Sequence, residues 1–439
     1  MKTRLTALCL TAFCLLAMGI LPAQSSDDMT REEVLAFARG EIDTLCSEDF
    51  AGRGYTHDGH RKAAGYLAQR FEEIGLLPIG PGDRYFQHFP MRINLASEAA
   101  LALDGESLSV GSAFIVNRMS GSGAVSGKVI DADFGLKPSE KVRGKIVLFR
   151  NGWPPKIAND SEKKAEYPGL QTSTERIKAM MEFEPLAVLL VHDKLTAAFG
   201  RDQFPFPILD VRLDSLPGKI KYAELEVTAE LTELVSQNVV GMIPGSSEPD
   251  SILMISAHYD HLGQLGDAIF TGANDNASGT SMLLSLAEYF AQAPNRPRYS
   301  MVFVAFGGEE TGLIGSRYMA VEAPLVPLSN ISFILNLDLM GNGIDGIMAV
   351  GGRDFPDTFE ALVKINDELQ AVPIVKARKN APNSDHYFFL AQGVKGFFIY
   401  TLGGPTHYHD IYDNPTTIEL SRYAEVRSLL IQFLTYLQR

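Results

Sequence analysis

Cysteine is nearly absent: Cys9, Cys14 and Cys46 are the only three in 439 residues. With so few thiols there is no disulfide framework, and the fold must be held by its core or by bound metal. Tryptophan occurs once, as Trp153 in a proline-rich loop, where local packing is its expected role. Positive charge is in deficit, 39 Lys and Arg against 53 Asp and Glu for a net charge of -14, and this argues against nucleic acid as a partner, which requires a basic footprint. Internal repeats and low-complexity segments are missing as well, and after residue 21 no run is apolar enough to span a bilayer.

What is present begins with Lys2 and Arg4 ahead of an apolar run over residues 5–21 and small residues at Ala23 and Ser25. This pattern is that of a signal peptide over residues 1–25. Thr6, Thr11 and Pro22 interrupt or end a run too short for a good membrane anchor, and Phe13 spoils a lipoprotein context at Cys14. The expectation is an exported chain, periplasmic or secreted, with no membrane segment after cleavage. Cys46 is then the one thiol left, buried and inert for want of a partner base, and the net charge becomes about -16 with the loss of Lys2 and Arg4. At 46% hydrophobic and 21% charged, the composition is ordinary for a globular protein, and the length suggests two or three domains.

Along the chain, Thr30 with Glu33 predicts a capped helix start, and Ala64, Leu67, Phe71 and Ile74 predict a second helix stopped by Gly75. Between them DFAGRG, residues 49–54, reads as a plain turn-rich loop. Residues 91–236 change texture, with short strands separated by glycine and serine and a helix over 174–183, and are expected to form an inserted β-rich domain without catalytic groups of its own. From residue 237 strands alternate with helices: 252–256, 301–306, 331–337 and 396–400, with helices after the first two, near 355–369 and at the C-terminus. Alternation of this kind predicts an α/β fold, a mostly parallel sheet covered by helices.

Chemistry gathers where these strands end, the place where open α/β sheets bind ligands. Strand 252–256 empties into His258 and Asp260, 301–306 into Glu309 and Glu310, 331–337 into Asp338, and 396–400 into a loop holding His407, His409, Asp410 and Asp413. Five of the nine histidines, at 258, 261, 386, 407 and 409, fall in these or neighbouring loops. Asp275, at a glycine-flanked helix mouth, has the two oxygens needed to bridge a pair of ions roughly 3.5 to 4 Å apart. His258 and His409 would take one ion each, with Asp338 and Glu310 supplying one carboxylate apiece. Nitrogen and oxygen donors without thiolate suit zinc, with cobalt or manganese as substitutes. Asp260, two residues beyond His258, is the expected acceptor for the other imidazole nitrogen, and Glu309, diverging from Glu310, is placed to take a proton from the attacking water.

HYDHLG, GANDNASG, GGEETGLIGS, NLDLMG and YHDIYD resemble, in order and spacing, the motif series of the co-catalytic zinc aminopeptidases, a family that includes bacterial leucyl-type aminopeptidases, glutamate carboxypeptidases and glutaminyl cyclases. DFAGRG and YFQHF resemble the family's N-terminal segment, and KVRGKIVLFRNG looks like part of a protease-associated domain. The resemblance implies a sheet of zinc-exopeptidase type over residues 26–90 and 237–439, with residues 91–236 as the insert. It implies two zinc ions on His258, Asp275, Glu310, Asp338 and His409, Glu309 as catalytic base with Asp260 beside it, and peptide substrates. Ser384, Asp385 and His386 resemble the family's SDH segment near the substrate cleft. His407 rivals His409 as a ligand, but the Tyr before and the Asp after favour His409. Asn276, nominally a glycosylation acceptor, sits inside the metal loop and is discounted.

An aminopeptidase is the first expectation. A glutamate-type carboxypeptidase would need cations for the substrate carboxylate, for which Arg353, Arg378 and Lys379 are near enough in sequence. A glutaminyl cyclase ranks third, and a non-catalytic binding module on the same scaffold is the alternative from another class.

Overall fold

The computed structural model describes residues 29–82 and 84–439, and the expected signal peptide lies outside them. The helix Arg31–Leu45 starts on a complete capping box between Thr30 and Glu33, and Gly59–Ile74 ends on Gly75 in the left-handed conformation. Both starts and stops follow from residue chemistry: Thr30 satisfies a helical N–H that would otherwise be orphaned, and Gly75 takes a positive φ without a Cβ penalty.

At the centre lies the strand Glu248–His258, parallel to Tyr299–Phe306 on one side and to Ile331–Leu337 on the other. Gly396–Leu402 continues the parallel run, and Gly346–Val350 joins it antiparallel with Val375–Arg378 at the edge. Residues 252–258 are buried on both faces. Leu253, Ile255 and Ala257 face a core shared with Arg31–Leu45, Gly59–Ile74, Ser278–Ala291 and Tyr423–Tyr436, and Ile252 and Met254 face a second core with Val302, Ile334 and Phe389. Burying an aliphatic side chain of this size is worth about 1.5–3 kcal/mol, so the sheet is fixed from both sides and its strand ends are rigid platforms.

Two long antiparallel strands, Phe86–Leu103 and Tyr222–Ile243, carry the sheet onward into a wing. The wing adds Gly123–Asp131, Ile146–Arg150, Ala187–His192 and Ile208–Arg212 as a parallel set, closed by antiparallel Phe114–Val116. Helices Ser161–Ala165 and Ser173–Met181 belong to it, so it is a mixed α/β layer rather than the short-stranded β unit expected from its glycine and serine spacing. Residues 91 and 236 lie inside the two long strands, which pass from one half of the molecule to the other without a break. Trp153 packs locally, with the Arg176 guanidinium 4.6 Å from its ring centre. No helix among the described residues is long and apolar enough to cross a membrane.

Candidate metal centre

The carboxyl ends of the parallel strands converge as the sequence implied. His258 closes its strand, Asp338 follows Leu337 directly, and Glu309 and Glu310 lie three and four residues beyond Phe306. Asp275 sits in an irregular turn feeding Ser278–Ala291, and the Thr280 hydroxyl of that helix donates to the His258 carbonyl at 2.8 Å. His409 enters from the loop after Gly396–Leu402, with φ at +58°.

One carboxylate lies between the two histidines. Asp275 Oδ1 is 3.3 Å from His258 Nε2, and its Oδ2 is 3.1 Å from His409 Nε2. Asp338 Oδ1 adds to the His258 side at 3.4 Å, and Glu310 Oε2 adds to the His409 side at 3.1 Å. Two groups of donor atoms, one with His258, Glu309 and Asp338 and one with His258, Asp275 and Glu310, are each close enough to enclose a single ion. His407 stays outside, 3.8 Å from Asp410.

Four carboxylates this close in a buried space repel one another, and among the described residues no lysine or arginine is paired with any of them. Asp275 Oδ2 and Asp338 Oδ1 are buried without a hydrogen-bond donor. Burial, then Glu310, Asp385 and Asp338, push the Glu309 carboxyl well above the carboxylate range. Burial, and then Asp275, push Glu310 upward too, but His409 and the His261 imidazole, 2.7 Å from Glu310 Oε1, together outweigh them and hold the group down to about 2. His409 loses charge stability by burial and regains more from Glu310 and Asp275, reaching about 11. Such a cluster of oxygen and nitrogen donors, short of positive charge, fits divalent cations, so the residues pass the test for holding metal.

Support comes from behind. Ser256 donates to Asn336, whose amide donates to the Ser384 hydroxyl, which donates to Asp338 Oδ2, each step at 2.8 Å. Asp413 accepts from the backbone N–H groups of Asn274 and Asp275 at 2.8 and 2.9 Å, fixing the turn that presents Asp275. Asn276 is fully buried and donates to the Leu337 carbonyl, so its side chain is spent on the turn.

Two expectations need correction. The Asp260 carboxylate is 3.9 Å from His258 Nδ1, and its backbone carbonyl is the nearer acceptor at 3.1 Å. That carboxylate instead accepts from the Tyr55 hydroxyl at 2.8 Å and the Glu309 N–H at 3.2 Å. Ser384, Asp385 and His386 are fully enclosed, so they stand behind the donor cluster rather than against a substrate. Asp385 is pushed up by burial to about 7, and His386 packs on Phe398.

The DFAGRG segment is no plain loop. Arg53 is fully buried and donates to four carbonyls: Tyr259, Leu45, Thr271 and Gly272, at 2.6–2.9 Å. It ties together the loops that carry His258 and Asp275, and Tyr55 holds Asp260. A sequence signal existed in the glycines around Arg53, which let a backbone approach closely: a Cβ on Gly52 would lie 2.4 Å from the Phe270 carbonyl.

A cavity of about 200 Å³ opens beside the cluster, lined in part by Asn274, Leu339, Tyr408 and Asp413, close neighbours of the donors. A hollow of about 1020 Å³ elsewhere, between the wing and the small hairpin of Gly263–Leu265 with Ala268–Phe270, contains none of the donors, so chemistry rather than volume identifies the site.

Residues 238–434, the span that supplies every donor, match the model of Peptidase family M28. The chain is 29% identical over 250 residues to leupeptin-inactivating enzyme 1 of Streptomyces exfoliatus, covering 56% of this chain and 53% of that protein. It is 38% identical over 110 residues to a "Probable zinc metalloprotease" of Pyricularia oryzae, covering 24% and 21%. The matches thus span about a fifth to a half of these curated relatives. In structure it superimposes on BSAP, a zinc aminopeptidase from Bacillus subtilis, with a TM-score of 0.68 at 20% identity, over 91% of this chain and 94% of that one, a likeness of fold.

Proposed function

We propose that this chain, whose residues 238–434 match the model of Peptidase family M28, is an exported zinc-dependent aminopeptidase that removes N-terminal residues from peptides. The observation that carries the reading is the Asp275 carboxylate, one oxygen toward His258 and the other toward His409. His258 and Asp338 would hold one zinc ion, His409 and Glu310 the other, and Asp275 both; cobalt or manganese would suit the same donors. When bound, such ions polarise the scissile carbonyl and make water a nucleophile at neutral pH. Glu309, close to His258 and Asp338, would be ionised once bound cations offset the repulsion of Glu310, Asp385 and Asp338, and would then take a proton from the attacking water on its carboxylate and deliver it to the departing amine nitrogen. Asp260, held by Tyr55, accepts the Glu309 N–H and so fixes the backbone from which that base projects.

The cavity beside Leu339 and Tyr408 is suited to the side chain of the residue removed. Residues 1–25 would direct export to the periplasm or medium, and residues 91–236 would serve as the protease-associated-like domain. Of the cations a carboxypeptidase would use, Arg353 is spent on the Ala377 carbonyl, while Arg378 lies over the Tyr400 ring with its Nε unpaired and Lys379 is exposed, so the preference for aminopeptidase rests on the shared fold. BSAP, which shares the fold, is itself called an aminopeptidase. Aminoacyl p-nitroanilides, N-blocked peptides and peptides ending in glutamate, each with and without chelator, test this. Chelator-sensitive release from the free-amine substrates is expected, and hydrolysis confined to blocked peptides would refute the assignment.

A further inference from the structure

The wing was expected to hold no catalytic groups of its own, and one of its loops reaches the last histidine. Lys194 Nζ donates to the carbonyls of Thr406 and Tyr408 at 2.7 and 2.9 Å and lies 3.3 Å from Asp410 Oδ2. These three oxygens bracket His409 on both sides. Three residues on, Ala197 and His409 face each other: the Ala197 N–H donates to the His409 carbonyl at 3.0 Å, and His409 Nδ1 lies 2.9 Å from the Ala197 carbonyl. A carbonyl can only accept, so Nδ1 must carry the proton, which aims Nε2 at Asp275 and Glu310.

The same loop braces the other side. The Phe199 ring meets Tyr55 edge-on at 5.4 Å, and Tyr55 donates to Asp260. Gly200 anchors the loop to the wing, accepting from the Asn94 N–H at 2.7 Å, and any Cβ there would lie 2.0 Å from the Arg118 carbonyl. His409 holds a backbone φ of +58°, which a non-glycine residue keeps only where its surroundings enforce it. The enforcing contacts come from the wing, more than 200 residues away in sequence.

We propose that residues 194–200 are a positioning element of the metal centre, in which the Ala197 carbonyl sets the tautomer and aim of His409 and Lys194 holds the loop that presents it. This rests on the two-ion reading above. It assigns the wing a direct part in retaining one of the two ions.

The test is zinc affinity, measured on the purified full-length protein by competition with a chromogenic chelator, alongside kcat and KM. Lys194→Met keeps the apolar stem and removes the donors, and because the Lys194 side chain is 46% exposed the substitution leaves the core untouched. One of the two ions should bind about tenfold more weakly or worse, the other as in the parent. The value of kcat should fall at limiting zinc and recover in excess zinc, KM should stay constant, and Lys194→Arg should restore most of the loss. Parent affinity at both sites in Lys194→Met would overturn the proposal, as would a lowered melting temperature with both affinities intact. A parent protein that binds fewer than two ions would instead refute the two-ion reading on which it rests.

Discussion

Replacing Arg53 with methionine should damage this protein more than any other single change in its N-terminal region. The side chain is fully buried and its guanidinium donates to four carbonyls, those of Leu45, Tyr259, Thr271 and Gly272. Methionine fills much of the volume of the stem but supplies no donor. Two of those carbonyls, Leu45 and Tyr259, would be left without a partner at about 1–3 kcal/mol each, the lower end where water can enter, whereas Thr271 keeps the Cys46 thiol and Gly272 keeps the Ala277 N–H. Two such carbonyls cost about 2–6 kcal/mol together, a large share of the net stability of a domain, about 5–15 kcal/mol. The loss is local before it is global, because Tyr259 sits between His258 and Asp260, and Thr271 and Gly272 lead to Asp275. Urea titration followed by both tyrosine fluorescence and turnover should therefore show a large drop in midpoint for Arg53→Met, with activity failing at lower urea than fluorescence. Arg53→Lys, which retains charge and part of the donor set, should fall between. A methionine variant with the parent midpoint and turnover would refute the reasoning that this arginine ties the site loops together.

Other consequences follow from the same geometry. Glu309→Gln should keep ion content and melting temperature while kcat falls about 10²- to 10⁴-fold; an active glutamine variant would remove Glu309 as the base. Burial raises the Cys46 thiol to about 11, so at pH 8 only about 0.1% is thiolate and the native protein should not react with Ellman's reagent until denatured. The sign for stability is also fixed: the unfolded thiol ionises near its ordinary value of 9.0 and the native one does not, so stability falls as pH rises from about 9 to 11, and Cys46→Ala should flatten that fall. Burial, with a smaller contribution from Arg378, holds His386 down to about 3. Unfolded chains take up a proton there near 6.5 and the native protein does not, so stability drops as pH falls from about 6.5 toward 3. His386→Leu should shift the acid-unfolding midpoint to lower pH, and an unchanged midpoint would show that this histidine does not set acid stability.

The donors were legible because each stands at an end that sequence can locate. Apolar runs such as residues 301–306 announce buried strands, and a carboxylate or histidine directly beyond one has few structural reasons to be there. Asp275 was legible for a different reason, since a carboxylate between glycines at a helix mouth is poorly explained by packing. Arg53 and Tyr55 were hidden, because a charged residue between glycines reads as exposed and only the folded chain brings Thr271 and Gly272 to it. The strand Phe86–Leu103 was underestimated because its second half, rich in alanine and leucine with no β-branched residue, has weak strand propensity and is held by its long pairing with Tyr222–Ile243. Asp260 looked like the partner of His258 by spacing alone, but a strand turning into a loop rotates its side chain toward Tyr55 and leaves the carbonyl in its place. Nothing in the sequence links Ala197 to His409, as the contact depends on how the wing folds back on the sheet.

The central claim is that Asp275 joins two ions held on either side by His258 and His409. Diffraction data collected from zinc-soaked crystals on both sides of the zinc absorption edge test it most directly. The account predicts two anomalous peaks roughly 3.5 to 4 Å apart, one beside His258 and Asp338 and the other beside His409 and Glu310, with Asp275 between them. A single peak at saturating zinc, or two peaks that leave Asp275 uninvolved, would contradict it.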